Sequence, residues 1–151
     1  MARGSKSLRR FIADMDLDVV SLNESTRTSQ MAADALGCTV AQIAKSIVFT
    51  GDAPVVVVIS GDKRVDLRKL SEYLGFEVRI ADAAAVRRST GYVIGGVPPF
   101  AHDEGVRVLL DGSLLRFDDV WTAAGTPHSV MRIRLGDIRD VVGGDFVDVA
   151  R

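Results

Sequence analysis

Lys45 is the residue whose type and position most clearly suggest chemistry. It lies in a mostly apolar run, residues 43–49, that has the composition of a strand. A lysine ammonium is costly to bury unless it is paired or faces a cleft. Lys45 therefore either extends along the surface to reach water or lines a site.

Two turns rich in glycine and proline form a second group of candidates. The segment 90–100 holds three glycines and two prolines yet is otherwise mostly apolar. Loops in solvent are usually polar, so we expect this segment to pack against other parts of the protein. The second turn, 125–128, precedes a predicted strand and ends in His128. Taken singly, both turns and His128 also fit purely structural roles.

Other kinds of site find little support. The single cysteine and the two histidines, Cys38, His102 and His128, lack the spacing of a zinc site, so we expect no metal. No serine lies in a nucleophile-elbow pattern. The glycines of 91–96 match neither a phosphate-binding loop nor a dinucleotide fingerprint, and we expect no cofactor.

Bulk composition narrows the class of protein. The 151 residues predict one domain, 1–151, and we expect residues 1–6 to be flexible. A net charge of −1 argues against a general nucleic-acid binder with a strong basic field. No apolar run is long enough to span a bilayer, so we expect a cytoplasmic protein without a membrane partner. The oligomeric state stays undecided.

The elements that must position these residues follow from hydrophobic spacing and capping signals. Short strands and short helices alternate without a strict βαβ order, which favours an α/β (mixed α+β) domain. We expect its twisted mixed sheet to curl partly into a barrel, with short helices around it. The predicted helices are 7–15, 28–36, 39–42, 66–74, 82–88 and 137–142. The predicted strands are 18–22, 44–49, 55–59, 76–80, 106–110, 119–124, 128–135 and 145–149.

An ordered set of motifs resembles the YbaK/EbsC family, from about residue 7 to residue 149. That family includes free-standing aminoacyl-tRNA deacylases and the editing domain inserted in bacterial prolyl-tRNA synthetases. The resemblance implies a YbaK-like fold. The matching residues are 25–28, 32–33, 35–37, 42–46, 48–49, 61–62, 65–66, 69–70, 91–92, 95–100 and 124–127.

The resemblance also implies an activity. It is the metal-independent hydrolysis of the ester that joins a small amino acid, such as Ala, Cys, Ser or Thr, to a mischarged tRNA. In this interpretation Lys45 is the catalytic residue, acting by position and charge, while water or a group of the substrate attacks the ester. The loop Gly95–Pro99 would shape the pocket for the aminoacyl-adenosine end. The substrate-binding residues implied are Thr28, Ser46, Gly95, Gly96, Val97, Pro98, Pro99, Gly125, Thr126 and His128.

The partner implied is the aminoacylated 3′ end of tRNA, and a synthetase or an elongation factor is a further candidate. Four basic residues gather across a turn and the start of a helix, where they could contact phosphates: Lys63, Arg64, Arg68 and Lys69. A solvated helix face explains each of them equally well. Near Asn23 the chain lacks the histidine or tyrosine of some family members, which leaves the preferred amino acid open.

Two other functions stay open. Because no acid–base residue stands out, the protein could be a module that binds tRNA 3′ ends or aminoacyl-adenylate-like ligands without hydrolysing them. The same pocket could also hydrolyse a different small ester or amide.

Overall fold

The computed structural model describes residues 3–22 and 28–151, so Asn23 and residues 25–27 of the first family motif lie outside it. The helices are α1 (Arg3–Asp14), α2 (Ser29–Leu36), α3 (Leu67–Leu74), α4 (Ala83–Thr90) and α5 (Leu135–Val142). Two 3₁₀ helices span Val40–Gln42 and Gly112–Arg116. The strands are β1 (Val19–Ser21), β2 (Ala44–Thr50), β3 (Val55–Ser60), β4 (Arg79–Ile80), β5 (Arg107–Asp111), β6 (Asp119–Ala123), β7 (Ser129–Arg134) and β8 (Phe146–Val147).

These strands form two sheets. One is antiparallel, with the order β1-β7-β6, and the other is mixed, with the order β4-β2-β3-β5-β8. In the mixed sheet β3 pairs antiparallel with β2 and parallel with β5. A parallel bridge between Ile43 and Trp121 joins the start of β2 to β6. The arrangement confirms the predicted mixed α/β class.

Strand β3 is the centre of the core. All six of its residues are buried, as the unbroken β-branched run predicts for a strand covered on both faces. Its even-numbered valines belong to one apolar cluster with Leu110 and Met131. Its odd-numbered apolar residues belong to another, with Leu70 and Leu109. Two packed layers therefore hold β2, the strand that carries Lys45, in place.

The ends of α2, α3 and α4 confirm the capping predictions made for them. Thr28 accepts a hydrogen bond from the Met31 amide at the start of α2. Asp66 and Asp82 cap α3 and α4 in the same way. Gly37 ends α2 in the left-handed conformation that glycine adopts most easily. Local sequence is therefore sufficient to place these helices.

Several boundaries differ from the prediction. Helix α1 begins at Arg3, not at residue 7, and the strand expected over 76–80 is reduced to its last two residues. The predicted capping box at Thr39 is wrong, because the Thr39 side chain caps nothing. Gln42 instead donates to the Asp119 carbonyl oxygen, 3.4 Å away on β6. A tertiary contact has replaced the local one.

The glycine- and proline-rich segment 90–100 packs as expected. Tyr92, Val97 and Phe100 are buried in the main apolar cluster. The Tyr92 hydroxyl donates to the Ala101 carbonyl oxygen at 2.7 Å, and burial raises the pKa of this phenol. In the part of the chain that the structure describes, no helix combines the length and apolarity needed to cross a membrane.

Candidate active site

A cleft of about 570 Å³ opens where the two sheets meet. Its walls come from the starts of α2 and β2, the turn after β3, the segment around Gly95, and strands β6 and β7. Its size is within the usual range for small-molecule sites, about 300–1,000 Å³. The lining residues include the predicted site residues Thr28, Lys45, Ser46, Lys63, Arg64, Gly95 and Val97.

Lys45 lines this cleft, half-buried near the start of β2. Its Nζ donates a hydrogen bond to the Gly61 carbonyl oxygen at 3.4 Å. Burial lowers the pKa of Lys45, the nearby positive charge of Arg64 lowers it further, and Asp62 opposes both. The Lys45 ammonium therefore lies at the cleft wall, partly shielded from solvent and close to both Arg64 and Asp62.

The turn that follows β3 approaches its neighbours so closely that only glycine fits at position 61. A Cβ on Gly61 would lie 2.8 Å from the Ser29 Cβ and closer still to the Val40 carbonyl oxygen. The Gly61 amide donates to the Ile43 carbonyl oxygen at 2.7 Å. Gly61 thus ties the turn to the segment that leads into β2 and presents an acceptor to Lys45.

Arg116 fixes the same turn from the outside. Its guanidinium makes two hydrogen bonds to the Asp62 carboxylate, at 2.7 and 3.0 Å, and a third to the Ser60 hydroxyl at 2.8 Å. The Ser60 hydroxyl in turn donates to the Ala41 carbonyl oxygen. The hydrogen bonds from Arg116, with smaller contributions from the Ser60 hydroxyl and the positive charges of Arg116 and Lys63, lower the pKa of Asp62 from 3.8 to about 2, although burial opposes them. Asp62 is therefore an ionised carboxylate at neutral pH, poorly suited to act as a general base.

This pKa predicts an acid-sensitive part of the stability. The folded-state pKa lies below the unfolded one, so the stabilisation is complete above pH 3.8 and is lost as the pH falls towards 2. We expect Asp62→Asn to be less stable than the wild type at neutral pH, and the difference to shrink over that range. Denaturant unfolding at a series of pH values measures it. A difference that does not change with pH would contradict the Asp62–Arg116 assignment.

The two glycine- and proline-rich turns pack against each other beside the cleft. A Cβ on Gly96 would meet the Thr126 backbone at 2.8 Å, and Gly95 lies next to Pro127. Gly125 is left-handed, with a φ of 99°, and a Cβ there would lie 2.9 Å from the Leu8 side chain. Gly95, Val97 and Pro127 line the cleft. The other predicted residues of these turns, Gly96, Pro98, Pro99, Gly125 and Thr126, are not among the lining residues.

The two histidines lie outside the cleft lining. His128 is exposed at the turn before β7, where its amide donates to the Thr126 hydroxyl at 3.2 Å. A ring nitrogen of His102 lies 2.7 Å from the Pro98 carbonyl oxygen, and burial lowers the pKa of this imidazole. His102 therefore contacts the proline-rich segment from outside the cleft lining. The substrate-binding role of His128 stays a prediction.

The four basic residues proposed to contact tRNA divide into two pairs. Lys63 and Arg64 line the cleft. Arg68 instead pairs with Glu72 on the exposed face of α3, at 3.3 Å. Lys69 donates to the Ala150 carbonyl oxygen at 2.8 Å and pairs with Asp148, which ties α3 to the C-terminal segment. Of the four, Lys63 and Arg64 are placed to meet a ligand that enters the cleft.

One wall of the cleft was not foreseen from the sequence. It consists of residues from α2 and the antiparallel sheet, among them Ser29, Gln30, Ala32, Trp121, Thr122, Ala123, Ser129 and Val130. The half-buried Trp121, the single tryptophan of the chain, is the clearest signal that could have indicated it. Across residues 3–22 and 28–151, no group of three or more His, Cys, Asp or Glu side chains is arranged to hold a metal ion.

Comparisons with known proteins identify the family of the chain. The family model described as the aminoacyl-tRNA editing domain matches residues 23–141. The chain therefore belongs to the aminoacyl-tRNA editing domain family. This match confirms the family resemblance seen in the motifs.

Individual relatives cover most or all of the chain. An uncharacterised protein of Bacillus subtilis (strain 168), YwhH, is 36% identical over 118 residues, which are 77% of this chain and 75% of the relative. The multifunctional Ser/Thr-tRNA deacylase ProXp-y of Escherichia coli (strain K12) is 26% identical over 163 residues, covering 100% of this chain and 97% of the relative. A crystal structure described as a candidate trans-editing enzyme for prolyl-tRNA synthetase is 34% identical, with a TM-score of 0.88, covering 100% of this chain and 99% of that one.

Proposed function

We propose that this protein is a trans-editing deacylase, which hydrolyses the ester between a small amino acid and the 3′ end of a mischarged tRNA without a metal ion. Water adds to the ester carbonyl, and the carbon–oxygen bond to the ribose breaks. The products are the free amino acid and tRNA with a free 3′ hydroxyl. The observation that carries the proposal is the cleft itself, with Lys45 on its wall, in a chain of the aminoacyl-tRNA editing domain family.

Lys45 supplies positive charge where negative charge develops. Attack on an ester carbonyl creates an oxyanion, and a fixed cation in a site with little water stabilises it more strongly than bulk solvent does. Lys45 is half-buried and held by the Gly61 carbonyl, so its ammonium is already oriented. The aminoacyl ester of tRNA is an activated ester, so its hydrolysis needs a positioned nucleophile more than it needs a strong base.

The substrate fits the layout of the cleft. Lys63 and Arg64 lie on the same turn as Gly61, and positive charges there suit the phosphates of a tRNA end. Ala44, Val97 and Val130 provide apolar lining for a small side chain. We propose that the aminoacyl group enters beside Val97 while the terminal nucleotide lies along Lys63 and Arg64. A partnership with a synthetase or an elongation factor stays a prediction.

The direct test is a panel of tRNAs mischarged with Ala, Cys, Ser or Thr. We expect the wild type to release at least one of these amino acids faster than buffer does, and to spare correctly charged tRNA.

A specific observation favours one competing function, a module that binds without hydrolysis. Asp62 is the single carboxylate among the described lining residues, and Arg116 already holds it. A module that binds without hydrolysis would bind a non-hydrolysable aminoacyl-adenosine but clear no member of the panel.

Trp121 provides a second readout. Because it is the only tryptophan in the sequence and lines the cleft, its emission reports on this site alone. We expect a non-hydrolysable aminoacyl-adenosine to change the intensity or wavelength of the emission in a saturable way. Unchanged emission at concentrations where calorimetry detects binding would place the ligand outside the cleft.

A further inference from the structure

Ser46 carries a polar group that the free protein does not use. Its hydroxyl oxygen is shielded from solvent and has no hydrogen-bond partner, and it is the one buried side-chain atom in this condition within the described residues. A buried hydroxyl without a partner is unfavourable and is rare in native structures. A site that binds a polar ligand is one reason to retain such a group.

The position of Ser46 points to the cleft. Side chains alternate along a strand, so Ser46 shares its face of β2 with Ala44 and Val48, opposite the face of Lys45. Ser46 lines the cleft together with Ala44, Val97 and Thr122. Since its hydroxyl has no bond to lose, rotation about χ1 can turn it towards a ligand at little cost.

Two hydroxyl groups of β6 and β7 at the cleft are already engaged. The Thr122 hydroxyl donates to the Ala123 carbonyl oxygen at 3.3 Å. The Ser129 hydroxyl lies 2.8 Å from that of Thr126. Ser46, in contrast, keeps an unused hydrogen-bonding group at the cleft.

We propose that the Ser46 hydroxyl binds the side-chain hydroxyl of the substrate amino acid, and that the cleft thereby selects serine or threonine over alanine. The inference rests on the proposed function and specifies its substrate class. An alanyl group at the same place would cover Ser46 but offer its hydroxyl no partner. A site built around such a bond rejects the analogue that lacks the hydroxyl more strongly than an apolar pocket discriminates by size.

The test compares two stable ligands, seryl and alanyl amides of 3′-amino-3′-deoxyadenosine, by calorimetry. We expect the wild type to bind the seryl compound roughly tenfold more tightly or better, the effect of one hydrogen bond gained and one group left unpaired. Ser46→Ala should remove this preference and leave alanyl binding unchanged or tighter. Ser71→Ala is the matched control, because Ser71 lies in α3 outside the cleft lining, and this variant should keep the preference for the seryl compound.

The outcomes separate this inference from the proposed function. Equal binding of both compounds by the wild type, or a preference that survives in Ser46→Ala, overturns the inference alone. Binding of neither compound contradicts both the inference and the proposed function. Deacylation gives the parallel readout: Ser46→Ala should slow clearance of Ser-tRNA but not of Ala-tRNA.

Stability provides a further test that needs no ligand. Because the Ser46 hydroxyl has no partner in the free protein, Ser46→Ala should leave the thermal midpoint unchanged or raise it. A marked fall in the midpoint would show that the hydroxyl is already bonded inside the free protein, and would overturn the inference.

Discussion

Lys45→Ala is expected to slow deacylation of a mischarged tRNA about 10²–10³-fold, the usual effect of removing one group that stabilises an oxyanion. The loss should appear mainly in the single-turnover rate at saturating enzyme, because the charge acts chiefly in the transition state. Folding should survive, since the lysine is half-buried and makes one long hydrogen bond, 3.4 Å, to Gly61. Thermal unfolding of the variant checks that point.

Two control variants make the result specific. Arg139→Ala removes a positive charge that pairs with Asp145, away from the cleft, and should retain full activity. Lys45→Arg keeps the charge but changes its shape and hydrogen bonding, so we expect partial activity. A fully active Lys45→Ala, in a protein that clears the tRNA, would remove Lys45 from the mechanism.

Gly61→Ala is expected to give the largest loss of stability, about 1–3 kcal/mol or more in the free energy of unfolding. The added Cβ would overlap the Val40 carbonyl oxygen and lie 2.8 Å from the Ser29 Cβ. Backbone cannot move aside as a flexible side chain can, so the turn must shift. Denaturant unfolding measures the loss, and we also expect slower deacylation because the Gly61 carbonyl accepts from Lys45.

Gly136→Ala is the matched control. Gly136 lies in α5, and a Cβ there meets nothing within 4 Å. Alanine is favoured over glycine in the middle of a helix by roughly 0.5–1 kcal/mol. Gly136 is the second residue of α5, so this variant should keep its stability or gain at most about that amount. Equal effects of the two substitutions would contradict the close packing described at Gly61.

The sequence is sufficient to predict the elements whose signals are local. Thr28, Asp66 and Asp82 act as helix caps as expected, and β3 is buried on both faces. The strand expected over 76–80 is shorter than predicted, because only residues 79 and 80 of that segment pair with β2. Hydrophobic pattern indicates that a segment can be a strand, but a neighbouring strand decides how much of it forms.

The site residues also divide into those with a local sequence signal and those without one. Lys45 could be predicted as a site residue because a charged side chain in an apolar strand is visible in the local sequence. Trp121, Thr122 and Ser129 were missed, since they reach the cleft only when the antiparallel sheet packs beside β2. Arg116 was missed because its contact with Asp62 joins positions 54 residues apart. No periodicity along the chain reports such an approach.

The most direct test of the account is single-turnover hydrolysis of tRNA mischarged with serine by the wild-type protein, beside the correctly charged tRNA. We expect release of serine well above the rate in buffer, little release from the correctly charged tRNA, and loss of the effect in Lys45→Ala. Serine release no faster than in buffer, with the other mischarged tRNAs equally stable, would contradict it.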